Sequence, residues 1–463
     1  MRISIRRSTT RRSLMAAAVL ALSVSHCLVR SHCLALSSLT NAGRRCRLRP
    51  MTTVLKQSLL RDEDTNGLSK TIHPSLVPIH EFTSQITEIH VPKNKRVIAY
   101  CISDLHADGI SENWNWMKEY CIPTVVDKNV YNILIIPGDL ANSISSLKRS
   151  FKFLSKQWDA VCYVVGNHEA WVNENNEEDN EDEDMYAINF RTSVDQLVDV
   201  YKEAKKAGIH VGPVCVNHYD DSDNDNSSNQ KLWMVPLQSF YHSSWDNEPE
   251  LDDPALLAAE ERRPFRRRWQ DFRNMKWPTD LTSHQEFTEG DDGRGGSLAL
   301  ASAFGDLNES LLENWEASST EATTVISFSH YVPRVELSIE KRYLVHPSLA
   351  RVVGSNRLEK DVRRLKPDLH LFGHTHIPIG MECDGLRYAQ WPLGYPRESA
   401  LQCRIVANQG PMVVFDSHFG VPETLDAETS RWSQHYYENN RDPTNLELAP
   451  WVRDRLERVG RKK

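Results

Sequence analysis

The sequence lacks the cysteine pattern of a disulfide-rich or zinc-knuckle protein. Its nine cysteines are scattered over 463 residues, and no two of them form a Cys-x-x-Cys pair. Small disulfide scaffolds and thiolate zinc sites both depend on closely spaced cysteines. The spacing therefore predicts neither, and we expect the six cysteines beyond residue 50 to be structural thiols.

Long apolar runs are also missing. The apolar stretch Leu14–Leu22 near the N-terminus is followed by Ser23, Ser25 and His26. A transmembrane helix needs about 20 predominantly apolar residues. We therefore expect no permanent membrane span.

Residues 1–60 have the composition of a cleavable targeting leader. Basic residues 1–13 precede the apolar stretch, which is the layout of a secretory signal peptide, and a candidate cut follows Ala35. Residues 36–61 contain no acidic residue and are rich in Arg, Ser, Thr and Leu, as in organellar transit peptides. Two interpretations stay open: a two-part leader to a plastid with extra membranes, or a secretory signal followed by a basic linker. A functional leader of either kind excludes a cytosolic location.

Beyond the leader the chain lacks positive charge. Residues 1–50 hold ten Arg and no acidic residue, so removing them from the net charge of −8 leaves −18 on the rest. Nucleic-acid-binding proteins rely on basic surfaces. Nucleic acid is therefore not expected as the main partner, although the basic aromatic stretch around Trp269 leaves that function as a minor hypothesis.

What the chain does contain is an alternation of short apolar runs and helical patterns. Residues 96–102, 131–137 and 160–165 are typical of buried strands. Strands that alternate with helices predict a layered α/β fold, in which functional groups gather at the carboxyl ends of the strands. Further strands are predicted at 86–91, 231–237, 323–328, 368–372, 386–390, 404–407 and 412–415.

Five of the predicted strands are each followed by a short motif with metal-binding side chains. Carboxylate, amide and imidazole ligands without cysteine favour manganese, iron or zinc over magnesium or calcium. Seven candidate ligands, one of them a carboxylate that can bridge, suit two cations. Two cations about 3.5–4 Å apart can orient a bridging hydroxide for in-line attack on phosphorus. The candidate ligands are Asp104, His106, Asp139, Asn167, His330, His374 and His376.

The residue after one candidate ligand is a second histidine, His168. An imidazole in this position has the chemistry to protonate a leaving alkoxide as a general acid. Its neighbour Glu169 could orient it or serve the structure, and the sequence does not decide between these roles.

Insertions and one long excursion interrupt the predicted domain, which spans residues 86–418. Residues 172–184 and 218–230 are acidic or polar insertions. Residues 238–322 form a cap-like excursion before the next strand, and residues 419–463 are predicted to be a C-terminal surface tail.

Within the excursion, residues 260–277 interleave seven basic residues with four aromatic ones. One interpretation is a helical cap whose aromatic side chains are packed and whose arginines are solvated, and we favour it. The other is a lid whose arginines meet the phosphate of a substrate, because the guanidinium fork matches phosphate oxygens.

Taken in order, the five motifs resemble the signature of the calcineurin-like metallophosphoesterases over residues 96–416. The resemblance implies a two-sheet β-sandwich flanked by helices. It also implies that His168 assists departure of the leaving group. The implied first metal is held by Asp104, His106, Asp139 and His376, and the second by Asp139, Asn167, His330 and His374.

The resemblance further implies a two-metal hydrolase of a phosphorylated substrate, acting by direct attack of water. Gly138-Asp139 continues as Leu-Ala-Asn-Ser, whereas the protein Ser/Thr phosphatases continue with a Val-Asp-Arg-Gly type of run, which argues against protein phosphatase activity. Residues 390–398 are similar to a segment of poorly characterised plant and bacterial members and indicate no substrate. Monoesterase, diesterase and nucleotide pyrophosphatase activities stay open. The alternative from another class is a catalytically silent scaffold that keeps the fold as a binding module.

Overall fold

The computed structural model describes residues 71–108, 111–172, 191–219, 229–290, 293–318, 323–401, 405–423 and 441–460. The predicted leader lies outside these ranges, as do most of the insertion at 172–184 and the middle of the insertion at 218–230. No helix within the described ranges is both long and apolar enough to cross a membrane.

The described residues include eleven strands in two sheets. The four-stranded sheet has the order β11-β2-β3-β4, and the seven-stranded sheet has the order β1-β5-β6-β7-β8-β10-β9. The strands are β1 (Thr87–His90), β2 (Arg96–Cys101), β3 (Val130–Pro137), β4 (Ala160–Val164), β5 (Val214–Tyr219), β6 (Asn229–Pro236), β7 (Thr323–Phe328), β8 (Leu369–Phe372), β9 (Ile379–Cys383), β10 (Leu386–Gln390) and β11 (Met412–Asp416).

Parallel strands form the centre of both sheets. β2, β3 and β4 are mutually parallel, and β11 closes one edge antiparallel to β2. In the larger sheet β6, β7, β8 and β10 run parallel, while β5 and β9 pair antiparallel to β6 and β10. The carboxyl ends of neighbouring parallel strands therefore lie along one edge of each sheet.

The two sheets pack face to face. In β2, Val97, Ala99 and Cys101 belong to the core between the sheets, whereas Ile98 and Tyr100 pack with the helical layer. This division follows from the two-residue period of a strand. Because both faces are covered, the central strands carry continuous apolar runs, as parallel sheets generally do. The predicted two-sheet sandwich flanked by helices is confirmed.

The helices cover the outer faces of the sheets and fill the excursion. Helix Ile144–Gln157 is representative: the side chain of Ser143 accepts a hydrogen bond from the Ser146 amide at its start. Its apolar face buries Leu147, Phe151 and Leu154. The others are Val77–Thr83, Ser111–Tyr120, Ser193–Lys206, Pro254–Arg262, Phe265–Arg268, Asp271–Asn274, His284–Glu289, Leu298–Asp306, Glu309–Ser318, Asn356–Leu365 and Pro450–Gly460.

Some elements differ from the sequence prediction. The strand predicted at 404–407 is wrong, because Ile405–Asn408 forms a 3-10 helix, and apolar runs this short do not distinguish strand from helix. Strands β5 and β9 were not predicted. Within the predicted tail, Pro450–Gly460 is a helix that buries Val452 and Leu456 in a small apolar cluster with residues of the excursion.

The cysteines are free thiols where they are described. Cys101, Cys121, Cys162 and Cys215 are buried, and Cys383 is partly exposed. The sixth predicted structural thiol, Cys403, lies outside the described residues.

Candidate metal centre

The five motifs meet where the two sheets come together. Three of them follow β2, β3 and β4 of one sheet, and two follow β7 and β8 of the other. The chain after β10 joins the two layers here, because the Ser103 amide donates to the Trp391 carbonyl at 3.0 Å and the Leu393 amide donates to the Ser103 carbonyl at 2.9 Å. Residues up to about 270 positions apart in the sequence thus form one cluster.

The backbone at the candidate ligands is in a conformation that L-residues rarely adopt. Asp104, His106, Asp139, His374 and His376 all have positive φ values, between 42° and 77°. Such residues cost about 1–3 kcal/mol each and persist where the surrounding structure holds them, typically at functional sites. The strained backbone of the loops after β2, β3 and β8 therefore indicates that these loops are held in the conformation that orients the candidate ligands.

Two motif glycines are required by close approach. A Cβ at Gly138 would lie 2.4 Å from the His330 ring, and a Cβ at Gly166 would lie 2.2 Å from Oδ1 of Asp139. Both distances are shorter than any van der Waals contact. Glycine at these positions therefore allows the side chains from the two sheets to converge.

One half of the cluster brings together three hydrogen-bond acceptors. His330 lies with Nδ1 3.1 Å from the Pro137 carbonyl, and His374 lies with Nε2 2.9 Å from the Val352 carbonyl. A carbonyl only accepts, so these nitrogens carry the ring protons and leave lone pairs on His330 Nε2 and His374 Nδ1. Those two atoms are 3.1 Å apart and lie 3.0 and 3.1 Å from Oδ1 of Asn167.

Three acceptors that face one another repel unless a cation lies between them. The amide orientation of Asn167 is fixed, because its Nδ2 donates to Oδ1 of Asp271 at 2.9 Å and its oxygen must therefore face inward. Oδ1 of Asp139 lies 3.5 Å from His330 Nε2 and adds a carboxylate oxygen to the group. This half of the cluster fits a divalent metal ion.

The other half contains two imidazoles and two carboxylates. His376 has Nδ1 3.0 Å from the Glu398 carboxylate, so Nδ1 carries a proton. Burial opposes a charged His376 ring, but Glu398 and Asp104 outweigh it and raise the pKa of His376 well above its usual value. A cation bound here would displace the proton on Nε2 and leave a lone pair as the ligand. Nε2 of His376 lies 3.0 Å from Nε2 of His106 and 3.5 Å from Oδ1 of Asp104. Oδ2 of Asp139 is 4.0 Å from His106 Nε2, so Asp139 reaches both halves.

Burial governs the protonation of the cluster. It lowers the pKa of His330 to about 4 and that of His374 to about 3, which keeps both imidazoles neutral and able to ligate. Burial, together with Glu169 and Asp104, raises the pKa of Asp139 well above its usual value. Burial opposes ionisation of Asp104 too, but the nearby His376 outweighs it and lowers the pKa to about 2. Cations would stabilise both carboxylates in the charged form.

The geometry thus divides the predicted ligands into two groups that share Asp139. In each group the ligand atoms lie within 4.8 Å of one another. The Asp and His cluster is suited to two metal ions. The groups are Asp104, His106, Asp139 and His376, and Asp139, His330 and His374, the second of which Asn167 joins through its oxygen.

His168 lies beside both groups and faces a cavity. Its Nε2 is 3.9 Å from Oδ2 of Asp139 and 3.3 Å from the hydroxyl of Tyr395. Its ring packs on Trp171 with centroids 3.8 Å apart. Burial and the neighbouring histidines hold the pKa of His168 well below its usual value, so the imidazole is neutral in this state.

Glu169 has a structural position. Its carboxylate accepts hydrogen bonds from the amides of Gly166, Asp139, Leu140 and Ala141, at 2.7–3.2 Å. These amides belong to the loops after β3 and β4. Glu169 therefore ties together the two loops that carry Asp139 and Asn167, and the sequence had left this role open.

Three residues around the cluster were missed by the sequence prediction. Glu398 and Tyr395 lie in the segment 390–398, which the sequence singled out without assigning a role. Glu398 holds His376, and the Tyr395 ring stacks on His106 with centroids 4.3 Å apart. Asp271, from the excursion, holds Asn167. Only Glu398 and Tyr395 could have been found from the sequence, because the segment 390–398 is similar to a segment of other family members.

Glu398 provides a first test of the metal centre. Replacing it with Ala removes the acceptor that fixes the His376 ring, and we expect affinity for the metal bound by His376 to fall about 10- to 100-fold. Competition with a chelator measures this affinity. Glu398→Gln keeps an acceptor and should recover part of it, while Glu382→Ala, at an exposed position of β9, should have no effect. Equal affinity in Glu398→Ala and the wild type would remove Glu398 from the metal centre.

The cavity beside the cluster has a volume of about 380 Å³. It is bounded by the cluster, by residues 338–353 after β7, by residues 269–271 of the excursion and by the strap, which we define as residues 391–398. Two arginines of the excursion that were candidates for phosphate binding do not line the cavity. Arg266 is exposed near Glu289, and Arg268 pairs with Glu260.

The excursion therefore reaches the cavity with Trp269, Gln270 and Asp271 rather than with its arginines. Phe265, Phe272 and Trp277 are buried, as the cap interpretation predicts. Arg397 of the strap lines the cavity, and its guanidinium lies 4.7 Å from the centroid of the Tyr395 ring.

Comparison of the sequence with models of protein families identifies the family of this chain. The family model for calcineurin-like phosphoesterase matches residues 99–378, which is more than half of the chain. Among curated proteins, none matches the chain significantly.

The solved structures that match the chain are distant from it in sequence. The phosphopantetheinyl hydrolase of Mycobacterium tuberculosis is 18% identical with a TM-score of 0.44, and the match covers 66% of this chain and 93% of that one. A putative 5'-nucleotidase from Staphylococcus aureus is 12% identical with a TM-score of 0.28, covering 64% and 48% of the two chains. GAP50 of Plasmodium is 8% identical with a TM-score of 0.30, covering 64% and 71%.

Proposed function

The chain belongs to the calcineurin-like phosphoesterase family, and on this premise we propose that it is a hydrolase of phosphate esters that uses two divalent metal ions. The observation that carries the proposal is the convergence of acceptor atoms from His330, His374 and Asn167 around Asp139, beside an open cavity. The ligand chemistry favours manganese, iron or zinc. When bound, such ions activate water and neutralise charge on the phosphate oxygens.

The residues of the chain would position the two ions, and their neighbours keep the ligands rigid. Asp139 would be the shared carboxylate, and Glu169 fixes its loop through four backbone amides. Asp271 aims the oxygen of Asn167 inward. Since ligand orientation is set outside the cluster, little rearrangement is needed when metal and substrate bind.

His168 is the proposed general acid. Its Nε2 lies at the cavity surface of the cluster, between Oδ2 of Asp139 and the Tyr395 hydroxyl. A phosphate group with its negative charges would favour the protonated form of His168, because an opposite charge raises the pKa of a histidine. The proton on Nε2 would then pass to the oxygen of the leaving group as the bond to phosphorus breaks.

A substrate panel tests the proposal. The protein is loaded with Mn²⁺, Fe²⁺ or Zn²⁺, its metal content is measured, and it is given p-nitrophenyl phosphate and bis(p-nitrophenyl) phosphate. Hydrolysis of the first identifies a monoesterase, and hydrolysis of the second a diesterase. A chain with two bound metals that hydrolyses neither would favour the catalytically silent scaffold instead.

The cavity also predicts which arginine handles phosphate. Arg397 lines the cavity, so replacing it with Gln should raise KM about tenfold, as expected for loss of a charge-assisted contact. Arg266→Gln removes the same charge from an exposed position outside the cavity and should change KM by less than about twofold. Steady-state kinetics on the better substrate of the panel decides. The reverse pattern would restore the lid arginines as the phosphate contact.

A further inference from the structure

Part of the cavity lining, beside the metal ligands, is an apolar wall. We infer that this wall is a subsite for an apolar organic group, so that the substrates are phosphate esters whose alcohol portion is an alkyl or alkyl-aryl group. The inference rests on the proposed function, since it places the phosphate at the metal centre. It adds the class of the group to which the phosphate is attached.

Six aliphatic side chains form the wall. Val352 and Val353 come just before helix Asn356–Leu365, and three others precede them in the same segment after β7. The wall is fixed relative to the metal centre, because the Val352 carbonyl accepts the ring proton of His374 and the Val353 carbonyl accepts from the Val332 amide at 3.1 Å. The wall consists of Ile339, Leu344, Leu349, Val352, Val353 and Ile377.

Two tryptophans extend this surface. Trp171 donates its Nε1–H to Oδ1 of Asp271 at 2.7 Å, and Trp269 donates its Nε1–H to the Tyr241 hydroxyl at 3.1 Å. Both indoles also line the cavity. Because their only polar atoms are bonded to the protein, the indoles offer carbon surface to a ligand.

The charged groups of the lining are few and lie close to the metal centre. Asp271 is bonded to Asn167, and Glu398 is bonded to His376. Apart from the cluster histidines, Arg397 is the cation among the described lining residues. A sugar phosphate or a nucleoside triphosphate carries several hydroxyls or charges that this wall would leave without partners, which costs binding energy. An apolar group gains energy from the same surface.

A homologous series of substrates measures the subsite. Phenyl, 4-methylphenyl, 4-ethylphenyl and 4-propylphenyl phosphate differ in apolar size, while a para-alkyl group hardly changes the acidity of the leaving phenol. They are used as monoesters, or as methyl diesters if the panel shows diesterase activity. With the metal-loaded full chain we expect kcat/KM to rise about fourfold for each added carbon.

A polar substrate of matched size separates the effect of apolar character on kcat/KM from the effect of size. 4-(Hydroxymethyl)phenyl phosphate has the size of the 4-ethyl compound but ends in a hydroxyl, and it should react no faster than the 4-methyl compound. Turnover of the whole series at one common rate would overturn the apolar subsite and leave the proposed function intact. No turnover of any member by the metal-loaded chain would overturn both.

Matched variants locate the effect on the wall. Leu349→Asn keeps the side-chain size and removes its apolar character, so the gain per carbon should fall below about twofold while phenyl phosphate is still hydrolysed. Leu344→Asn is a second variant with the same expectation, in case the first does not fold. Leu257→Asn, at an exposed position outside the cavity, should keep the full wild-type slope. An unchanged slope in folded, metal-loaded Leu349→Asn and Leu344→Asn would overturn the placement of the subsite.

Discussion

Replacing Asp139 with Asn is expected to reduce the proposed hydrolysis about 1000-fold or more, because both proposed metal ions would be held by this residue. Asp139 belongs to both ligand groups, with one oxygen 3.5 Å from His330 Nε2 and the other 4.0 Å from His106 Nε2. Asparagine has nearly the same shape, but it is neutral, and its NH₂ group would point at one of the two ions. The change thus removes the bridging charge with little change in volume.

The variant should remain folded. Oδ1 of Asp139 accepts a hydrogen bond from the His168 amide at 3.1 Å, and an asparagine oxygen can take over that bond. Burial already disfavours the charged carboxylate without metal, so the metal-free variant should be at least as stable as the metal-free wild type. Thermal unfolding after removal of metal with a chelator checks this point.

Metal content separates loss of ions from loss of chemistry. We expect elemental analysis to give two metals per chain for the wild type and fewer than two for Asp139→Asn. Asp252→Asn, the same substitution at an exposed carboxylate, should leave both metal content and rate unchanged. An Asp139→Asn variant that holds two metals and retains the wild-type rate would be incompatible with a shared carboxylate.

The parts of this site that the sequence predicted share one property. Each candidate ligand follows a run of apolar residues that is long and uniform enough to be a buried strand, such as 131–137 before Asp139. Parallel strands bring their carboxyl ends to one edge, so the position of a motif along the chain also fixes its place in the fold. The sandwich and the clustering of the motifs could therefore be predicted together.

The surroundings of the ligands could not be predicted in this way. Asp271 lies 104 residues from Asn167, in an excursion without regular apolar periodicity, and its contact depends on how that excursion folds back. Glu398 lies in a strap without a strand or long helix, placed by backbone pairing of Leu393 with Ser103. Periodicity describes local structure, and these contacts are set by tertiary packing.

Tertiary packing also decided between the two interpretations of the arginines in the excursion. Residues 260–277 are rich in arginine, and this composition is compatible both with a packed cap and with a lid that binds phosphate. The structure turns Trp269 toward the cavity and leaves Arg266 and Arg267 exposed. Since successive residues of a short helix point in different directions, composition alone does not tell which face meets the site.

The loss of kcat/KM on replacing His168 should be larger for a leaving group that needs a proton than for one that leaves readily without it. We expect His168→Asn to lower kcat/KM about 100- to 10,000-fold for phenyl phosphate, whose phenolate is a poor leaving group. For p-nitrophenyl phosphate the loss should be much smaller, because p-nitrophenolate leaves readily without a proton. Two metals per chain should still be bound, since His168 lies outside both ligand groups.

The test compares the loss of kcat/KM for phenyl phosphate with the loss for p-nitrophenyl phosphate. If His168 only binds the phosphate group, both substrates lose the same factor, because the phosphate is common to them. If it donates a proton, the dependence of rate on leaving-group acidity becomes steeper in the variant across a series of substituted phenyl phosphates. His284→Asn, at an exposed position outside the cavity, controls for the substitution itself. Equal losses for poor and good leaving groups would therefore end the assignment of His168 as the general acid and make it a phosphate-binding residue.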